Sequence, residues 1–97
     1  MDPKNLTVAW TAKAKNDLKL VYYNFLERNS KETSLKIRNE IFAAPGLIVF
    51  PEQFQFDENR NDLRRIIVCD FKILYETENN IITIITVLDC RRLPSKI

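Results

Sequence analysis

Histidine is absent from this chain altogether. That omission removes every Ser–His and Cys–His catalytic pair and the commonest zinc ligand, so acid–base chemistry would have to come from Tyr, Lys, Arg or carboxylates. Cysteine is scarce too: Cys69 and Cys90 form no closely spaced pair, which argues against a zinc site and suits a reducing, cytoplasmic setting. Neither metal nor cofactor is expected. Glycine occurs once, at Gly46, so loops should be short. No apolar stretch approaches the roughly 20 residues that span a bilayer, and no membrane partner is expected. The opening Met1-Asp-Pro-Lys-Asn5 lacks the basic start and apolar run of a secretory signal. A strong charge of either sign is also missing. Fifteen Lys and Arg against thirteen Asp and Glu leave +2, which permits contact with nucleic acid without requiring it.

What is present fits one small domain spanning residues 1–97, with an ordinary 45% of hydrophobic residues. Leu6, Val8 and Trp10 alternate as in a short strand, and Thr11 is a good helix N-cap. From Ala12 to Arg28 the apolar residues Ala14, Leu18, Val21, Tyr22 and Phe25 follow helical spacing. Trp10 is expected to anchor strand to helix. Lys13, Lys15 and Lys19 cluster on that helix, either as a solvated face or as a contact for an acidic partner or nucleic acid. A second helix should begin between Lys31 and Thr33 and carry Leu35, Ile37, Ile41, Phe42 and Ala44; Pro45-Gly46 should kink or end it. Leu47 to Phe50 suggests one further irregular turn, and Pro51 to Asp62 a surface connector with Phe54 and Phe56 tucked inward.

Three strands follow. A two-residue loop at Cys69-Asp70 would pair Val68 with Phe71, Ile66 with Ile73 and Arg64 with Tyr75. A second at Asn79-Asn80 would pair Glu78 with Ile81, Leu74 with Ile85 and Lys72 with Val87. Alternation then places Ile66, Val68, Phe71, Ile73, Tyr75, Ile82, Ile84 and Leu88 beneath the helices. The opposite face receives Arg65, Ile67, Lys72, Leu74, Ile81, Thr83, Ile85, Val87 and Asp89, with Arg91 continuing the phase. An apolar patch of Ile67, Leu74, Ile85 and Val87 rimmed by cations marks a partner surface. Arg91 and Arg92 could grip phosphate or a carboxylate, and Asp89 could pair with Arg91 or Lys72. Tyr75 is expected to be a core aromatic.

The Trp10-Thr-Ala12 helix entry, Phe50-Pro-Glu-Gln-Phe54, Arg64-Arg-Ile-Ile-Val68, Phe71-Lys-Ile-Leu-Tyr75 and the ending Asp89-Cys-Arg-Arg-Leu-Pro94 together resemble the RelE/ParE toxins. The resemblance covers nearly the whole chain. It implies an α+β fold of order β-α-α-β-β-β, with two helices on one face of a small antiparallel sheet and the first strand at its edge. It also implies the toxin of a type II toxin–antitoxin module, bound in a hetero-oligomer by a cognate antitoxin that could cover the open sheet face and the helix hairpin. RelE-like members cut mRNA on the ribosome with basic residues and a C-terminal tyrosine, and to these cations Arg65, Lys72 and Arg91 correspond. Cations of that kind would stabilise charge developing at phosphorus. Here Ile67 stands where a second lysine would be, and Pro94-Ser-Lys-Ile97 offers no tyrosine. ParE-like members instead poison DNA gyrase by binding it, which suits the near-neutral charge and the Arg91-Arg92-Leu93-Pro94 ending. Gyrase is thus the expected target. A ribosome-dependent nuclease is the alternative, and a decayed toxin that only binds antitoxin is a third. Ile67, Leu74, Ile85, Val87 and Arg92 are the expected antitoxin- or target-binding residues.

Overall fold

The computed structural model describes residues 6–92, apart from the side chain of Arg92. The expectations for Met1–Asn5 and for Leu93–Ile97 lie outside the described residues. The elements are β1 (Thr7–Trp10), α1 (Ala12–Leu26), α2 (Lys31–Ala43), a 3-10 turn (Ala44–Leu47), β2 (Arg64–Val68), β3 (Phe71–Glu78), β4 (Ile81–Asp89) and a 3-10 turn (Cys90–Arg92). The sheet order is β1-β4-β3-β2. Both hairpins are antiparallel, but β1 lies parallel to β4, with Thr7 opposite Ile81 and Trp10 opposite Ile84. The sheet is therefore mixed: the first strand does join its edge, but parallel to its neighbour.

Local chemistry sets the helix limits. Thr11 Oγ1 accepts from the Ala14 amide at 3.0 Å, and Ser30 Oγ accepts from the Thr33 amide at 3.1 Å, each relieving one unpaired donor of a first turn. Helix α2 stops at Ala43, where Pro45 cannot donate an amide, and the chain tightens at once into the 3-10 turn. The irregular turn thus begins earlier than the expected Leu47. Ala14, Leu18 and Val21 of α1 and Ile41 of α2 close over Ile66, Phe71, Ile73, Tyr75, Ile82 and Ile84 of the sheet. Tyr75 is fully enclosed, as its parity foretold. Its hydroxyl donates to the Pro51 carbonyl at 3.2 Å, and burial pushes its pKa up. Phe54 packs against this core, whereas Phe56 stays half-exposed beneath the Arg64 guanidinium at 4.0 Å.

Both tight turns fall where expected. Asn79 and Asn80 take φ of 54° and 64°, the pair of positive values a type I′ turn needs, and Cys69 takes 54°. The register of the first hairpin is as expected. The second is not. Tyr75 faces Ile84 but Leu74 faces Thr86, which leaves Ile85 as the extra residue of a β-bulge. Beyond it every side chain changes face. Lys72 faces Leu88 rather than Val87, Val87 turns into the core opposite Ile73, and Asp89 pairs with Phe71 on the helix side.

The bulge lies where β1 runs out, and α1 completes the edge. Thr11 Oγ1 donates to the Ile85 carbonyl at 3.1 Å. Asp17 Oδ2 accepts from the Val87 amide at 3.0 Å and from the Thr86 hydroxyl at 2.6 Å. Lys13 Nζ donates to Asp17 at 3.0 Å and to Thr86 Oγ1 at 3.0 Å. These side chains occupy hydrogen-bonding groups that a naked edge would offer to another chain.

Candidate functional site

The β2–β3 register places Arg65 opposite Leu74 and Ile67 opposite Lys72, so all four share the face turned away from the helices. The connector folds back over this face. Phe56 bridges to Arg64, the Arg65 amide donates to the Gln55 carbonyl at 3.1 Å, and the Asp57 amide donates to the Leu63 carbonyl at 2.8 Å. Residues 57–63 form a small loop turned by Asp57 itself, whose Oδ2 accepts from the amides of Asn59 at 2.9 Å and Arg60 at 3.1 Å. An aspartate bonded to backbone two residues on is a common way to build such a turn.

The other carboxylate oxygen faces the sheet. Asp57 Oδ1 accepts from Lys72 Nζ at 2.8 Å and lies 3.7 Å from Arg65 Nη1, which also reaches Glu58 Oε1 at 3.2 Å. The Asp57 side chain is 1% exposed and that of Lys72 9%. Burial alone would raise the Asp57 pKa. The Lys72 hydrogen bond, the amides of Asn59 and Arg60 and the Lys72 charge outweigh it, and the net shift is downward. The carboxylate therefore stays ionised at neutral pH and holds both sheet cations. Leu63 and Leu74 are buried on this side too, outside the cluster that packs against the helices.

The three cations proposed for phosphate chemistry do not assemble. Arg65 and Lys72 meet, but at a carboxylate. Arg91 bonds Asp89 at 3.1 Å, as expected of that pair, and lies 5.5 Å and 5.7 Å from the ring centres of Phe25 and Phe71. Phe71 belongs to the helix-side core, so Arg91 sits at the end of that layer and not on the Arg65–Lys72 face. The cause is the bulge, which reverses the phase on which Arg91 had been placed. The apolar patch shrinks for the same reason and for one more: Val87 is in the core, and Leu74 is sealed. Ile67 remains exposed and Ile85 half-buried. Arg92 lies in the closing 3-10 turn. Asp57 is the residue that sequence reasoning missed. Asp57-Glu-Asn-Arg60 is a turn signal, but nothing in it names Lys72 as a partner.

Comparison with known proteins agrees with this architecture. The family described as the ParE toxin of the type II toxin–antitoxin system parDE matches residues 8–94. Among solved structures, one of the chromosomal ParDE toxin–antitoxin system from Pseudomonas aeruginosa superposes with a TM-score of 0.73 at 20% identity, covering 84% of this chain and 92% of that one. A conserved hypothetical protein from Helicobacter pylori gives a TM-score of 0.46 at 16% identity, covering 87% of this chain and 93% of that one. Comparison with curated protein sequences yields no match. Among the described residues, no helix is long and apolar enough to cross a membrane.

Proposed function

The chain belongs to the ParE toxin family of type II toxin–antitoxin systems, and from that premise we propose that a cognate antitoxin holds it inactive and that, once freed, it arrests growth by binding DNA gyrase. The observation that carries the gyrase reading against the nuclease reading is the Asp57 clamp. A ribonuclease without histidine must offer unpaired cations to the charge that develops at phosphorus. Lys72 is instead paired with a buried carboxylate, and exposing it to phosphate would mean breaking that pair, at a cost of several kcal/mol, while Arg65 lies between Asp57 and the exposed Glu58. Arg91 is engaged with Asp89 at the far layer. A toxin that works by occupying a surface of its target needs none of these groups to be free. The exposed Ile67 and the half-buried Ile85 are then the sheet-side candidates for contact with antitoxin or target, and Arg92 of the closing turn is a further candidate.

Inducible expression in bacteria, with DNA replication and translation followed separately within minutes, tests this reading. Early replication arrest with DNA breaks and intact transcripts is expected. An early fall in translation with transcripts cut at codons would establish the nuclease alternative. Normal growth would leave a decayed toxin.

A further inference from the structure

The sheet ends in two edges of different character, β1 and β2. Strand β2 carries Arg64 and Arg65, and the connector already bonds part of its outer side through the Arg65 amide. Strand β1, Thr7-Val8-Ala9-Trp10, carries no charge. Its inner side is fixed to the β4 hairpin: the Thr7 amide donates to the Asn80 carbonyl at 2.9 Å and the Thr11 amide to the Ile84 carbonyl at 3.1 Å. Bonding alternates along a strand, so the amides and carbonyls of Val8 and Trp10 turn to the outer side. Shortness apart, β1 has none of the charges, prolines or bulges that keep an open edge from pairing.

Beside this edge, on the helix side of the sheet, lies an apolar groove of 470 Å³, walled by Leu6 and Val8 and by residues 45–49. It holds no charged side chain either. Leu47 is 74% exposed and Val49 54%, and Phe50 follows them half-exposed. Large apolar residues crowded this closely on a surface mark a contact site.

The absence of charge selects the occupant. In a two-fold dimer each patch meets its own copy, so a charged patch meets its like. The groove between α1 and α2, with Lys15, Lys19 and Arg38 around it, would set cation against cation. Strand β2 would do the same with Arg64 and Arg65. The β1 edge and its groove meet neither objection.

We infer that β1 and the groove beside it join two copies of this chain about a two-fold axis. Strand β1 pairs antiparallel with β1 of the second copy, and Ala9 faces its own counterpart on the axis. In that register Val8 of each copy exchanges both backbone bonds with Trp10 of the other, so every outward group is used. The two four-stranded sheets continue as one, and residues 45–49 of both copies converge over the junction. One short strand and one groove per copy lie at the small end of specific interfaces, so dimers are expected at about micromolar concentration and above. The inference needs neither antitoxin nor target and stands apart from the toxin reading.

Sedimentation velocity of the full chain between about 1 µM and about 1 mM tests it, with exchange of the Val8 and Trp10 amides followed by NMR at both ends of the range. A reversible monomer–dimer equilibrium is expected, with both amides protected in the dimer and open in the monomer. Leu47→Lys with Val49→Lys, at exposed positions, should weaken the dimer about tenfold or more while leaving the monomer folded. Val8→Pro, which removes an outward amide and no bond to β4, should weaken it too. Ile67→Glu, on the open sheet face, should leave it intact. A chain still monomeric at about 1 mM overturns the inference. So does a dimer that survives both β1-side changes, and one lost with Ile67→Glu alone, which would move the interface to the open sheet face. Protection of the Val8 and Trp10 amides in a monomer would overturn it as well, by showing that another part of the chain covers the edge.

Discussion

Removing the carboxylate of Asp57 should be among the most damaging single changes on the sheet face. Asp57→Asn keeps an oxygen for the amides of Asn59 and Arg60 but strands the ammonium of Lys72, whose side chain is only 9% exposed. Breaking a buried pair by deleting one partner costs about 3–5 kcal/mol. Asp57→Ala should cost more, because the two turn amides also lose their acceptor, at about 1 kcal/mol each. Against a total stability of about 5–15 kcal/mol such losses are large. At about 4–8 °C per kcal/mol, the Asn variant should melt more than 10 °C below wild type. Urea unfolding followed by far-ultraviolet circular dichroism gives the difference. Because folding depresses the pKa of Asp57, the clamp's contribution is complete above the ordinary carboxylate value of 3.8 and is lost as pH falls through the lower folded value. The gap between wild type and Asp57→Asn should therefore be constant near neutrality and close only in acid. Adding Lys72→Met should recover much of the loss, since no buried charge then lacks a partner. A loss below about 1 kcal/mol at pH 7 would mean that the pair behaves like a surface bridge, and the case against the nuclease would fall with it.

Cys69 holds φ of 54° without the tolerance of glycine or asparagine, so Cys69→Gly should stabilise the first hairpin by about 0.5–1 kcal/mol, and an unchanged or lowered urea midpoint would contradict this. Thr11→Ala removes both the cap of α1 and the bond to the Ile85 carbonyl; a loss of about 1–2 kcal/mol is expected, and a loss within a few tenths would show that water replaces both. Leu74→Glu replaces a sealed apolar side chain with a charge and should be strongly destabilising, whereas Ile67→Glu, at an exposed position, should change stability by no more than about 0.5 kcal/mol. Ile67→Glu is thus the variant for probing partner contact, and equal melting temperatures for the two would refute the sealing of Leu74.

Most of the fold was legible because local signals agreed. Thr11 caps α1, Pro45 ends α2, Asn79-Asn80 supplies a turn with positive φ, and Ile66, Ile73 and Tyr75 alternate onto one face. The site was less legible, for two physical reasons. Ile81-Ile-Thr-Ile-Ile-Thr-Val-Leu88 is apolar or β-branched throughout, so no alternation of polar and apolar residues marks where register slips. One extra residue at Ile85 then moved Val87, Leu88, Asp89 and Arg91 to unforeseen surroundings. The Asp57 clamp is a contact between a loop and a strand fifteen positions apart, and no local pattern encodes it. Sequence showed which cations were present but not that carboxylates already engage them.

The parallel pairing of β1 with β4 imposes an order of events on the nascent chain. Thr7 has its sheet neighbour at Ile81, so β1 waits for the whole helical hairpin and three further strands before its backbone can pair. Contacts this distant in sequence form late, after the loop between them has been closed. The helices and the β2–β3–β4 meander can assemble beforehand, with α1 tied to β4 through Thr11, Lys13 and Asp17. Trp10, carried by β1, reaches Phe42 only when that strand is seated. Until then the groove between the helices lacks one wall. That groove is therefore completed at the end of folding, and a chain stalled before β4 cannot present it.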